Sequence, residues 1–81
     1  MIKVKSITFK TIKSDYARGT ADIDTGEIFI DKRLKGHELL EILIHEVLHV
    51  QNPTWSEAKI IGHSQELSGI LWQQNFRKVD L

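Results

Sequence analysis

Two histidines and a glutamate form an HExxH sequence near the middle of the chain: His45, Glu46 and His49. In a helix, histidines four residues apart lie roughly 6 Å apart along the axis, so both imidazoles can bind one ion. Glu46 projects about 100° further round and is placed to reach a water on that ion. A zinc ion lowers the pKa of such a water to about 7, and a carboxylate can take its proton as it attacks a carbonyl. The motif therefore predicts Zn²⁺ bound by the two histidines, with Glu46 as the general base.

The residues around the motif favour a buried helix with one polar stripe. Residues 39–50 are apolar except at Glu41, His45, Glu46 and His49. At 100° per residue, the two histidines and Glu41 share that stripe, while most of the cylinder is apolar. Burying these groups without partners would cost on the order of several kcal/mol, so a bound metal explains the stripe better than chance. Glu41 is expected to form a wall of the cleft rather than a ligand.

A third metal ligand must come from the second half of the chain, where the candidates are Glu57, His63 and Glu66. The short connection at residues 51–55 predicts that the second helix folds back antiparallel to the first, which brings Glu57 level with His49. His63 would fall below the metal, and Glu66 points away from the apolar face of its helix. Glu57 is the expected ligand and His63 the alternative. Glu57 could instead serve only in a capping box with Thr54.

The sheet that must support the motif helix is expected in the first part of the chain. Residues 2–12 alternate as a strand, with Ile2 and Val4 on one face, and a slip in phase at Ser6-Ile7 predicts a bulge. Asp24-Thr25-Gly26-Glu27 predicts the turn of a hairpin over about residues 20–31. Its second strand, residues 27–31, is expected at the sheet edge, where it would hold an extended substrate.

Two helices complete the expected fold. The first should run from about His37 to Val50, and the second from Thr54 to about Phe76. Trp55 and Trp72 are expected in the core, because a small domain needs large apolar side chains there. We predict one α+β domain over residues 1–81, in which a small antiparallel sheet of about three strands packs on the motif helix and the second helix lies behind it.

Length and composition limit the classes of function. At 81 residues the chain has room for one modest core, and domains of this size are often stabilised by a metal, disulfides or a partner. It has no cysteine, which excludes disulfides and thiolate zinc sites. The 11 basic and 11 acidic residues show no basic block, so neither a nucleic-acid nor a membrane partner is expected. No signal peptide is evident and no apolar run could span a bilayer, so we expect a soluble, cytoplasmic protein.

The stretch RLKGHELLEILIHEVLH, followed by an acidic residue that opens a helix and by Leu71-Trp72, resembles short phage and prophage metallopeptidases of the HExxH type. The resemblance covers roughly residues 28–76, and Arg18-Gly19 also fits it. These proteins are similar to the minimal gluzincins, which have a zincin-like fold and a glutamate on the following helix as third ligand. The resemblance implies zinc bound by His45, His49 and Glu57, with Glu46 as the base.

A second, weaker resemblance involves Gly62-His63-Ser64-Gln65-Glu66-Leu67, which is similar to the pattern of SprT-like domains. In those domains a histidine followed by a small residue supplies the third ligand, although the span before that histidine is longer. This resemblance implies His63 in place of Glu57.

The expected function is a zinc-dependent metallopeptidase that hydrolyses a bond in a peptide or protein substrate. The alternative is a zinc-stabilised binding or structural module of phage origin, without catalysis. Glu46 distinguishes the two, because a purely structural zinc site needs no such acid and usually has four protein ligands.

Overall fold

A computed structural model describes residues 3–14 and 17–79, which form three strands and two helices. The α+β class is confirmed, and the helices lie close to their predicted positions. In chain order the elements are β1 (Ser6–Lys10), β2 (Gly19–Ala21), β3 (Glu27–Asp31), α1 (Gly36–Gln51) and α2 (Glu57–Gln73).

The sheet is mixed, so the prediction of a purely antiparallel sheet is wrong. The strand order is β1-β3-β2. β2 and β3 pair antiparallel as the predicted hairpin, whereas β1 runs parallel to β3, with Ser6 opposite Glu27 and Lys10 opposite Asp31. Between β1 and β3 the chain passes through β2, which occupies the far side of β3. The direction of β1 is thus set by a contact distant in sequence, which local alternation does not encode.

β3 is the central strand, so the prediction that residues 27–31 form an edge is also wrong. It is paired on both sides, and Ile28 and Ile30 are completely buried. The ladder between β1 and β3 is continuous from Ser6 to Lys10, without the bulge expected at Ser6-Ile7. Ile2 lies outside the described residues.

Gly26 fixes the junction between the hairpin and β1. Its φ of 81° is in the left-handed region, and a Cβ there would stand 2.4 Å from the carbonyl oxygen of Lys3. The N–H of Gly26 donates to the carbonyl of Asp22 at 2.8 Å, and its own carbonyl accepts from the N–H of Lys5 at 2.8 Å. The glycine of the predicted turn therefore also ties β1 to the hairpin.

Helix α1 packs on the sheet and on α2. Leu39 and Val50 join Ile28, Ile30 and Leu34 in the buried core between α1 and the sheet. Within the described residues, no helix is both long and apolar enough to cross a membrane.

Helix α2 begins two residues later than the capping-box prediction requires. Ser56, not Thr54, is the N-cap residue, and its hydroxyl accepts from the backbone N–H of Lys59 at 3.2 Å. Along the buried face, Ser64 and Ser68 have almost no exposed surface, and each hydroxyl donates to a carbonyl three residues earlier in the helix. Their polar atoms are therefore paired although they are buried. The helix ends at Gln73, before the predicted Phe76.

The two tryptophans are half-buried and lie in surface stacks, so their prediction as core residues is wrong. Trp72 stacks on His37 with ring centroids 5.3 Å apart, and the Arg77 guanidinium lies 3.7 Å from the Trp72 centroid. Trp55 packs against His63. The fully buried side chains in the described part of the chain are the smaller Ile, Val and Ser residues.

Candidate metal centre

Three side chains converge where the end of α1 meets the beginning of α2. The Nε2 atom of His45 lies 2.9 Å from Oε1 of Glu57, and the Nε2 atom of His49 lies 3.0 Å from Oε2 of the same carboxylate. The two Nε2 atoms are 3.1 Å apart. Among residues 3–14 and 17–79, this is the group of His, Asp and Glu side chains able to offer three ligand atoms to one ion.

The spacing of these atoms suits a small divalent cation. Zinc ligands at bond lengths of about 2.0–2.2 Å in tetrahedral geometry lie roughly 3.3 Å from one another. The observed separations of 2.9–3.1 Å between the two histidines and Glu57 are slightly shorter. Two neutral imidazoles and a carboxylate are also a donor set that zinc accepts. Because each imidazole must present an unprotonated nitrogen, binding would release any proton held on the facing Nε2 atoms.

Local structure explains why Glu57 reaches the histidines. The helical repeat of α1 places the rings of His45 and His49 edge to face, with centroids 4.8 Å apart. The short connection at residues 52–56 then reverses the chain, and Ser56 caps α2. Glu57 is consequently the first residue of α2, and its carboxylate faces the imidazoles instead of forming the predicted capping box. Its side chain remains 60% exposed, so the group is open to solvent on this side.

Glu46 lies beside the group but differs from it in burial. The residue is only 6% exposed, and its Oε2 atom is buried without a hydrogen-bond partner among the described residues. Burial raises the pKa of Glu46; the charges of His45 and His49 oppose this shift, and that of Glu57 adds to it. Unpaired buried carboxylates are costly and uncommon, and they are concentrated at functional sites.

One cavity of about 340 Å³ joins Glu46 to the candidate ligands. Besides these four side chains, it is lined by Ala17, Arg18, Gly19 and Ile42. The cavity therefore lies between the start of β2 and the two helices, with the three possible ligands and the buried carboxylate on its walls.

Gly19 brings β2 into contact with this site, and the sequence did not predict this contact. A Cβ on Gly19 would stand 3.0 Å from Cγ2 of Ile42 and 3.1 Å from Cγ of Glu46, so the β2 backbone approaches α1 as closely as a glycine permits. The neighbouring Arg18 pairs with Glu38 at 2.9 Å on the surface. A glycine at the start of a strand is a signal of close backbone approach, although the sequence does not show what it approaches.

No described strand pairs with the outer edge of β2, and this free edge runs beside the cavity. The carbonyl of Arg18 accepts from the N–H of Asp31, and the N–H of Asp22 donates to the carbonyl of Glu27, so these residues face β3. Because an antiparallel strand alternates its hydrogen-bonding direction, the backbone groups of Gly19 and Ala21 face away from β3. An extended chain could pair with this edge.

The other sequence candidates lie outside the group. His63 packs against Trp55, with ring centroids 4.8 Å apart. Glu66 is exposed, and Glu41, expected as a wall, is not among the residues that line the cavity. The structure thus brings Glu57 to the histidine pair and leaves His63 and Glu66 elsewhere on α2.

Comparison with known proteins gave no match: no family model, no curated protein and no solved structure matches this chain. The resemblances to phage metallopeptidases and to SprT-like domains therefore stay predictions. What the site can do is inferred from the chemistry of its own residues.

Proposed function

We propose that the protein is a zinc-dependent metallopeptidase in which His45, His49 and Glu57 hold the ion and Glu46 is the general base. One observation carries the proposal: the converging ligand atoms share a cavity with a buried carboxylate oxygen that has no partner in the described chain. A zinc ion held there would supply Lewis acidity, which would polarise a scissile carbonyl and lower the pKa of a bound water.

The environment of Glu46 suits a base better than a ligand. It follows His45 directly, so it points to a different side of α1 from the two histidines. Burial raises the pKa of its carboxyl group, which makes the carboxylate a stronger base than one in water. In the proposed reaction Glu46 accepts the proton of the attacking water and then donates it to the leaving amine.

The free edge of β2 is the proposed binding position for the substrate. A peptide that pairs with the outward backbone groups of Gly19 and Ala21 would run along the cavity, past Glu46. This role replaces the one expected for residues 27–31, because β3 is internal to the sheet. Main-chain pairing would bind peptides of many sequences, and the cavity would select the side chain beside the scissile bond.

The alternative function, a zinc-stabilised module without catalysis, would need the same three ligands but not Glu46. A buried carboxylate oxygen that has no partner in the described chain lowers stability, and a structural site gains nothing from it. This observation favours the peptidase.

The test is the substitution Glu46→Gln in the zinc-loaded protein, with a library of quenched fluorescent peptides as substrate. Wild type should cleave members of the library, and Glu46→Gln should bind zinc equally well but cleave at least about 100-fold more slowly, because the base is gone. Glu66→Gln, which changes an exposed glutamate of α2, is the control and should cleave like wild type.

Two results would contradict this account. Loss of zinc from Glu46→Gln would show that the glutamate is a ligand. Wild-type protein that binds zinc and gains thermal stability, yet cleaves no member of the library, would favour the non-catalytic module.

A further inference from the structure

Helix α1 has a second open flank that the proposed peptidase does not use. The flank beside β2 carries Ile42 and Glu46 and borders the metal centre. The flank beside β1 carries Leu40 and Leu43, which border a separate cavity of about 370 Å³. We call this second cavity the β1 groove; its apolar lining consists of Phe9, Leu39, Leu40, Leu43 and Phe76.

The exposure of β1 shows that its sheet face is incompletely covered. Ile7 and Phe9 are in register with the buried residues Ile28 and Ile30 of β3, so they lie on the face of the sheet on which α1 packs. They are nevertheless 41% and 39% exposed. β1 pairs with β3 on one side, and no described strand lies beyond its other edge. A further strand paired with that edge would cover both side chains.

The rim of the β1 groove is positively charged. Arg77 and Lys78 border it, and Lys32 and Lys35 border an adjoining cavity of about 200 Å³. Among residues 3–14 and 17–79, those that line the two cavities include no acidic side chain. The ammonium group of Lys78 lies 4.0 Å from the centroid of the Phe9 ring, at the C-terminal end of β1.

We infer that the β1 groove binds an extended acidic segment of another protein, which joins the sheet along the free edge of β1. Alternate apolar side chains of this segment would cover Ile7 and Phe9 and fill the space above Leu40 and Leu43. Carboxylates near the C-terminal end of β1 would meet the cations of Arg77 and Lys78. This inference does not depend on the proposed peptidase, since the groove and the metal centre lie on different flanks of α1.

A second copy of this chain fits the groove less well. β1 carries Lys10 and is preceded by Lys3 and Lys5, so pairing two β1 strands would bring like charges together. β2, the other edge strand, has only three residues and follows Arg18. Both edges of the sheet are therefore basic or short, and an acidic partner complements β1 better than the chain itself does.

The test uses full-length, isotope-labelled protein and two synthetic strand peptides. Both alternate valine with threonine, and their ends carry glutamates in one peptide and lysines in the other. The glutamate peptide should shift the amide signals of residues 6–10 and slow their hydrogen exchange, while the imidazole signals of His45 and His49 stay unchanged. It should bind at least about tenfold more tightly than the lysine peptide, because of the positive rim.

Variants locate the binding site. Phe9→Ser and Lys78→Glu should each weaken binding of the glutamate peptide about tenfold or more, and Lys78→Glu should also improve binding of the lysine peptide. Ile70→Ser removes an apolar side chain of α2 that is 51% exposed, and this control should bind like wild type.

Several results would overturn the inference. The inference is wrong if the glutamate peptide does not bind wild type, or if wild type binds the two peptides with equal affinity. It is also wrong if the peptide shifts only the NMR signals of residues 19–21 and of the histidines. Concentration-dependent dimerisation of wild type that Phe9→Ser abolishes would also overturn it, because it would assign the groove to a second copy.

Discussion

Gly19 lies directly against Glu46, so closely that a Cβ on the glycine would stand 3.1 Å from Cγ of the glutamate. Ile42 and Ile30 are the other nearest neighbours of that position, at 3.0 Å and 3.3 Å. Such distances are shorter than most contacts of real Cβ atoms, so a methyl group there requires its neighbours to move. The absence of a side chain at Gly19 therefore determines how closely β2 can cover the proposed base.

We expect Gly19→Ala to impair catalysis more than metal binding. The new methyl would push against Glu46, and displacing a catalytic group by a fraction of an ångström slows reactions by about tenfold or more. The nearest neighbours of the methyl do not include the three proposed ligands, so zinc affinity should hardly change. The measurements are kcat/KM and zinc titration on the same preparation. An equal loss of kcat/KM and of zinc affinity, or no loss of either, would contradict this role of Gly19.

The two glycines of α2, in contrast to Gly19, have room for an added methyl group. A Cβ on Gly62 or Gly69 would have no heavy atom within 4 Å outside its own turn of helix. Alanine is a better helix former than glycine, so Gly62→Ala and Gly69→Ala should each raise the free energy of unfolding by about 0.5–1 kcal/mol. Urea denaturation would measure the change. A decrease for either variant would mean that α2 has a partner close to that glycine.

The parts of the fold that the sequence predicted correctly are those specified by nearby residues. The apolar pattern around the motif predicted α1 within one residue at each end, and the residues around Gly26 predicted the hairpin turn. The parallel direction of β1 and the central position of β3 depend on contacts between distant segments. The start of α2 was misplaced because Thr54 and Ser56 are both good N-cap residues and only the path of the chain selects between them.

The same division applies to the candidate site. The spacing of His45 and His49 is a property of one helix, so the sequence alone predicted that the two side chains lie close together. Glu57 lies beside them because the chain reverses its direction between α1 and α2. The short connection predicted this reversal but left His63 as an alternative third ligand. The contact of Gly19 with Glu46 joins different elements, and no local pattern indicates it.

The ion pair between Asp31 and Arg33 predicts how stability depends on pH. Asp31 is buried at the end of β3, where its carboxylate accepts hydrogen bonds from the side chain and the backbone N–H of Arg33. The side-chain hydrogen bond from Arg33 is the main reason that the pKa of Asp31 is well below its usual range. A carboxyl group with a lowered pKa stabilises the fold at pH values above its pKa in the unfolded chain, which is about 3.9. This contribution is lost as the pH falls towards the pKa of the group in the folded protein.

Asp31→Asn should therefore unfold more easily than wild type at pH 7, and the difference should shrink progressively below about pH 4. Urea denaturation at a series of pH values measures it. Asp24→Asn, which changes an exposed carboxylate in the hairpin turn, is the matched control and should show a much smaller difference at pH 7. A deficit for Asp31→Asn that is the same at pH 7 and at pH 3 would contradict the role given to this ion pair.

The proposed metal centre is tested most directly by titrating zinc into wild type, Glu57→Ala and His63→Ala. Glu57 is 60% exposed and its carboxylate contacts the two histidines, so its loss should leave the fold intact. We expect Glu57→Ala to weaken zinc binding by about two orders of magnitude or more, because it removes one of three protein ligands. His63→Ala should bind zinc within about twofold of wild type, because His63 packs on Trp55 away from the group. Loss of zinc from His63→Ala together with retention by Glu57→Ala would contradict the proposed centre.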